Sequence, residues 1–179
     1  MTERVPFRAT LAGGAYEFAK LPVCLLLDNV RSMYNVGSFF RTADGAGVEK
    51  IYLSGITARP PKNAIAKTAL GAEERVPWEG SDNALEAASA LRSRGYELAA
   101  LETSVRSVDL FDWTPRFPVC LMVGHEVDGL SEELLAACDV HVRIPMLGGK
   151  HSLNVATAGG VALYELLRKY RQAFGRGTA

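Results

Sequence analysis

Two uninterrupted apolar runs, residues 22–27 (PVCLLL) and 118–123 (PVCLMV), constrain the fold more than any other feature of the chain. Each has the length of a strand and is closed by a polar or glycine turn, so each reads as a strand buried on both faces. Such a strand has no polar side to show to water. It needs cover above and below, and the segments between the strand-like runs supply that cover as helices.

The helical segments carry their own start and stop signals. Asn35 stands as an N-cap before a core face of Val36, Phe39, Phe40 and Ala43, with Gly45 or Gly47 to end the helix. A short helix is expected over residues 64–70. Asn83 and Glu86 have capping-box spacing ahead of Leu85, Ala88 and Leu91, and Gly95 suits the position just past the helix end. Ser131 opens a helix whose first turn holds Glu132 and Glu133, acids that complement the helix dipole. Ser152 is expected to cap a long final helix burying Leu153, Ala156, Gly160, Leu163, Leu167 and Tyr170, after a turn in which Gly148 and Gly149 take positive φ. Further strands are read at 50–53, 75–78, 96–101 and 140–144, with an irregular connection at 109–116. Strands alternate with helices, so the fold class is α/β, a mostly parallel sheet flanked by helices on both faces. At 179 residues and 48% apolar content, one domain over residues 22–179 is expected, preceded by a short N-terminal arm at 1–21.

Charge and cysteine usage narrow the function classes. The formal net charge is zero, so no global basic field marks a nucleic-acid binder, and any such role needs a local cluster. Arg31, Arg41, Arg59, Lys62, Lys67, Lys150 and His151 are its candidates. The three cysteines are widely spaced in apolar surroundings, which suits reduced thiols, and no metal-ligand spacing accompanies them. No apolar run reaches membrane-spanning length, and a cytoplasmic location is expected.

In parallel sheets, ligands collect beyond the C-terminal strand ends. Three loops of unusual glycine or polar content leave such ends here: LETS at 101–104, GHEVDGL at 124–130, and IPMLGGKHSLN at 144–154. No dinucleotide glycine fingerprint, P-loop or nucleophile elbow occurs, so a phosphate-cradling cofactor loop is not the organising element. Gly37 lies one turn before Arg41, and long helical side chains lean towards the N-terminus. The guanidinium would therefore overlie a bare patch beside Asn35, with room for a phosphate or ribose. In the plainer alternative Asn35 only caps and Arg41 pairs with Asp44. Glu126 either accepts hydrogen bonds that fix an Asn or Arg, or is a solvated turn residue; His125 reads as a turn residue. Ser152 and Asn154 either face a ligand or serve as cap residues.

In chain order, N-x-G-x-x-x-R from Asn35 to Arg41, G-x-E-x-x-G-L at 124–130, and I-P-M followed by S-L-N-V at 144–155 resemble the three motifs of the SpoU/TrmH family. These are the 2′-O-ribose RNA methyltransferases of the SPOUT superfamily. KTALGAEERVPW at 67–78 extends the likeness, which runs from about residue 22 to the C-terminus. The resemblance implies an α/β sheet whose C-terminal part threads into a deep trefoil knot. It implies S-adenosylmethionine as cofactor, bound bent by Leu101, Glu102, Thr103, Gly124, Ile144, Met146, Ser152 and Leu153. It also implies a tRNA or rRNA substrate and a homodimer to which Leu163, Leu167 and Tyr170 of the last helix contribute; no metal is expected, because no metal-ligand spacing occurs.

For catalysis the resemblance implies Arg41 as the group that activates the ribose hydroxyl, with Asn35 and Glu126 positioning it and Ser152 and Asn154 joining the cofactor side to the substrate side. A guanidinium with pKa above about 12 is a poor base. Binding the neighbouring phosphate and stabilising the developing alkoxide suits it better. His125 departs from the small polar or proline residue most common there. The alternatives are a catalytically silent RNA-binding relative and a base-directed methyltransferase of the same superfamily. The intact set of five polar residues disfavours the first, and the N-x-G-x-x-x-R motif favours ribose over base.

Overall fold

The computed structural model of the chain describes residues 20–174. Its elements run β1 (Leu21–Asp28), α1 (Met33–Ala46), β2 (Val48–Ser54), α2 (Asn63–Ala69), a single 3₁₀ turn (Ala72–Glu74), β3 (Trp78–Ser81), α3 (Ala84–Ser93), β4 (Glu97–Leu101), β5 (Val108–Asp109), β6 (Val119–Val123), α4 (Glu132–Ala137), β7 (Val140–Arg143) and α5 (Val155–Phe174). Seven strands form one sheet in the order β3-β2-β1-β6-β4-β7-β5, and every pairing is parallel. The α/β class expected from the two apolar runs is the one observed. Most of the arm expected at 1–21 lies outside the described residues, and Leu21 already belongs to β1.

The runs pack as their lack of a polar face requires. In β1, Val23, Leu25 and Leu27 join a core beneath α1, α2 and α5, while Cys24 and Leu26 face a second core under α3 and α4. β6 divides the same way, with Val119, Leu121 and Val123 on the first side and Cys120 and Met122 on the second. Period-two alternation therefore persists in strands whose sequence shows none, because both faces demand apolar groups.

Two strands differ from the expectation, one displaced and one unforeseen. β3 begins at Trp78, where the reading ended it, because Ala72–Glu74 forms a 3₁₀ turn and buried Val76 packs into the core before pairing starts. β5 lies at the edge of the stretch read as irregular, where Val108 and Asp109 pair with Val142 and Arg143 of β7. Two residues cannot carry a periodic pattern.

The long last helix buries Gly159, Ala162, Leu163 and Leu166, and Ala156, Leu167 and Tyr170 pack against the core as expected, so its core face departs from the expected set at Leu153 and Gly160. Leu153 precedes the helix and is exposed. A Cβ on Gly159 would collide with the Phe39 ring, so this glycine sets how closely α5 approaches α1. Gly148 and Gly149 are not among the positive-φ glycines, and nothing lies within 4 Å of either, so the turn before α5 does not depend on left-handed backbone there. Among the described residues, no helix is long and apolar enough to cross a membrane.

Candidate active site

β6, β4 and β7 are neighbours in the sheet, so the loops after Val123, Leu101 and Arg143 leave side by side at its C-terminal edge. They enclose a cleft lined by Leu101, Glu102, Thr103, Gly124, Ile144, Met146, Ser152 and Leu153. All eight residues singled out for a cofactor thus border one cavity. The sequence reading missed Val142, Val155 and Ala158, which complete an apolar wall, and His125, Gly129, Arg143 and His151 at the margin. Ala158 lies one helical turn after Val155, so the amphipathic pattern of α5 carried a signal for that pair.

Glycine and carboxylate shape the floor of the cleft. A Cβ on Gly124 would collide with the backbone of Gly129 and Leu130, where the chain doubles back between His125 and Gly129. Gly129 has φ 70°, a left-handed conformation that favours glycine. Glu102 ties two loops together by accepting from Thr103 N at 3.0 Å and Leu130 N at 3.3 Å. His125 is a turn residue, as read: its Nδ1 faces the N–H groups of Val127 and Asp128 at 3.3 and 3.2 Å.

Above the cleft, three distant parts of the sequence meet. Glu126 accepts from Asn35 Nδ2 at 2.8 Å and from the backbone N–H groups of Ser32 and Arg31, each at 3.0 Å. Asn35 Oδ1 in turn accepts from Asn154 Nδ2 at 3.2 Å. Partial burial opposes ionisation of Glu126, but the hydrogen bonds from Ser32, Arg31 and Asn35 outweigh it and hold the carboxyl below its usual range. The carboxylate is thus a fixed acceptor that orients the start of α1 and the Asn35 amide.

The caps fall elsewhere than the sequence suggested. Ser32, not Asn35, caps α1, its hydroxyl accepting from Asn35 N at 3.3 Å. This frees the Asn35 side chain for Glu126 and Asn154. Asn154, not Ser152, caps α5 by accepting from Ala156 N at 3.0 Å and Thr157 N at 3.2 Å. Its Oδ1 orients the helix start while its Nδ2 reaches Asn35.

Arg41 is exposed on α1 and makes no ion pair among the described residues; Asp44 pairs with Arg75 at 3.6 Å instead. The bare patch expected at Gly37 is absent, because α2 covers it. A Cβ there would collide with Thr68 Oγ1 and the Ile65 carbonyl. Helical spacing puts Tyr34, Ser38 and Arg41 on one outward stripe.

The cleft suits an uncharged heterocycle joined to a cationic centre. Apolar side chains such as Ile144, Met146 and Leu153 share its lining with polar ones such as Thr103 and Ser152, and its two carboxylates, Glu102 and Glu126, are already held by N–H donors. Among the described residues no group of acids, histidines and cysteines could hold a metal.

The parallel sheet and this cleft define a class, an α/β domain that takes a small ligand beyond its strand ends. Within that class, residues 22–164 match the SpoU rRNA Methylase family, and the chain belongs to it. A Staphylococcus haemolyticus relative named as a TrmH family tRNA/rRNA methyltransferase is 30% identical over 152 residues, covering 85% of this chain and 61% of that protein. A crystal structure of the A. aeolicus TrmH/SpoU tRNA modifying enzyme aligns with a TM-score of 0.77 at 30% identity, covering 86% of this chain and 78% of that one. The SpoU methyltransferase AviRb from Streptomyces viridochromogenes, in complex with AdoMet, aligns at 0.78 and 27% identity, over 88% of this chain and 64% of that one. The chain spans about three fifths of the length of the staphylococcal relatives it matches.

Proposed function

We propose that this chain transfers a methyl group from S-adenosylmethionine to a ribose 2′-oxygen in tRNA or rRNA. The observation that carries the reading is the Glu126–Asn35–Asn154 chain of hydrogen bonds at the mouth of the cleft, which brings three sequence motifs onto one point. Bound in the cleft, S-adenosylmethionine would supply an electrophilic methyl on a sulfonium. Leu101, Ile144, Met146 and Leu153 would pack against its adenine, with backbone groups of the three loops reading its polar edge.

The remaining work falls to the protein. Glu126 holds Asn35 and the α1 backbone in place. Asn35 and Asn154 present the ribose, and Ser152, exposed at the cleft margin, borders both cofactor and substrate. Arg41 binds the adjacent phosphate and stabilises the developing alkoxide as the hydroxyl proton passes to that phosphate, a task for a permanent cation rather than a base. The acting unit of this reading is a homodimer. Leu163 lies in the chain's own core and Leu167 and Tyr170 pack against it, so the exposed Val161 and Tyr164 of α5 are the better candidates for a partner contact. A knotted threading of the segment from Ile144 to Leu153 belongs to the same proposal.

The test is incubation with methyl-labelled S-adenosylmethionine and total RNA, followed by digestion to nucleosides. Label in 2′-O-methylnucleosides is the expected result. Label in bases assigns the base-directed chemistry instead, and cofactor binding without any transfer assigns the silent relative.

A further inference from the structure

The neutral chain leaves open where a polyanionic strand would lie. The cations divide into two sets. Lys50, Arg59, Arg75, Arg92, Arg116 and Arg168 are each matched with a carboxylate. Arg59, a candidate for the basic cluster, is thereby removed from it, since its guanidinium reaches Asp82 at 2.8 Å and the Ser81 carbonyl at 3.2 Å.

Arg31, Arg41, Lys62 and Lys67 belong to the second set, exposed and with no ion pair among the described residues, as do Arg94, Arg106, Arg143 and Lys150 on other elements. The first four lie on α1, on α2 or just before them, beside the seam between the two helices. α2 lies directly on α1, because Gly37 admits it without a side chain and Thr68 Oγ1 donates to the Tyr34 carbonyl at 2.9 Å. Lys67 adjoins Thr68, and Lys62 precedes the first turn of α2. Arg41 shares the outward stripe of α1 with Tyr34, which is 53% exposed. At the other end, the Arg31 N–H is bound to Glu126, so the seam begins at the candidate active site. It runs out near Glu73 and Glu74 on the 3₁₀ turn after α2.

We propose that the α1–α2 seam is the track for the single-stranded RNA flanking the target nucleotide, with Lys62 and Lys67 on its phosphates and Tyr34 as a stacking surface for one base. The proposal rests on the methyl-transfer reading of the adjacent site. Charge complementarity argues for the occupant: unmatched cations beside an exposed ring are the combination that holds a strand without reading its sequence. The stripe is too rich in charge to suit an apolar partner.

The probe is a fluorescent 12-nucleotide mixed-sequence RNA, titrated against the full chain at several potassium chloride concentrations. Lys62→Ala with Lys67→Ala should weaken binding roughly tenfold and lower the slope of log affinity against log salt by about 1.4, at about 0.7 per lost contact. Tyr34→Ala should weaken binding about fivefold with the slope unchanged, and Tyr34→Phe should restore it. Lys50→Ala, which removes a matched cation on β2, should change nothing. S-adenosylmethionine affinity, measured by calorimetry, should be the same in all four proteins.

An unaltered salt slope in the double lysine variant overturns the proposal, as does failure of the wild-type chain to bind the RNA. A drop in sedimenting mass of the lysine variant with the slope unaltered would assign the seam to a second copy of the chain and overturn it too. Absence of cofactor binding by the wild-type chain would instead remove the methyl-transfer reading, so the two failures are separable.

Discussion

Glu126 and Asn35 lie 91 residues apart in the chain and meet at 2.8 Å, the Asn35 amide donating to the carboxylate. Glu126 closes the gap between the loop after β6 and the start of α1, which flank one another because β6 pairs with β1. Replacement of Glu126 by Ala removes the acceptor for three donors at once. Turnover should fall on the order of 100-fold, the scale of a misplaced reacting group, while S-adenosylmethionine affinity changes little. Steady-state kinetics beside calorimetry distinguishes this outcome from a role in the cofactor pocket, for which affinity would fall first.

The same carboxylate gives a pH signature. Its folded pKa is depressed below the ordinary glutamate value of 4.5, so its contribution to stability is fully present above that value and is lost as pH falls through the folded one. The stability difference between wild type and Glu126→Ala, measured by urea unfolding, should be constant from pH 7 to 5 and shrink below 4.5. A difference that grew on acidification would contradict this hydrogen-bond arrangement.

Asn35 separates geometry from charge. Asp at this position is nearly the same shape but puts a carboxylate against the Glu126 carboxylate, where only one can ionise easily. Asn35→Asp should therefore be worse than Asn35→Ala in turnover at pH 7 and should regain part of the loss at lower pH. Equal defects at every pH would mean that Asn35 acts only by filling space.

These contacts mark the limit of what could be read from the chain. The apolar runs at β1 and β6 fixed class and layering, because a strand without a polar face has few ways to be buried. The three cleft loops were legible because glycine and polar residues follow strands, while the eight residues within them came from the family resemblance; the sheet order then put β6, β4 and β7 together. The caps were not legible in the sequence. Ser32 and Asn35 both suit an N-cap, as do Ser152 and Asn154, and only the tertiary demand of Glu126 decides which side chain is released. Gly37 was misread for a related reason: an absent side chain signals close approach, but not whether a ligand or a neighbouring helix approaches.

Glycine at a helix crossing makes a stability prediction. Gly159→Ala would drive a methyl into Phe39, which is fully buried and cannot swing away. Overpacking of this kind costs about 1–3 kcal/mol, so the melting temperature should fall by several degrees. Gly149→Ala, with open space around it, should melt with the wild type. Equal melting of both variants would show that α5 can slide away from α1.

The thiols should be inert in the folded chain. Burial raises the pKa of Cys24 and of Cys120, and burial together with the neighbouring Asp139 pushes Cys138 up to about 12. Thiolate, not thiol, is the reactive form, so a disulfide reagent at pH 8 should label none of the three within minutes and all three in denaturant. Rapid labelling of Cys138 in the native chain would mean that α4 opens readily.

Arg41 offers the cleanest separation of chemistry from folding. It is exposed and makes no ion pair among the described residues, so neither Arg41→Ala nor Arg41→Lys should move stability by more than about 0.5 kcal/mol. Any loss of turnover then reports on the reacting groups. Removing one preorganised donor to a developing oxyanion costs about 100-fold or more, which is the expectation for Arg41→Ala. Lysine keeps the charge and loses the planar fork, so Arg41→Lys should retain RNA affinity and lose most of the rate. Near-normal turnover by Arg41→Lys at saturating RNA would leave only a point charge to explain. The role of Arg41 would then contract to holding a phosphate.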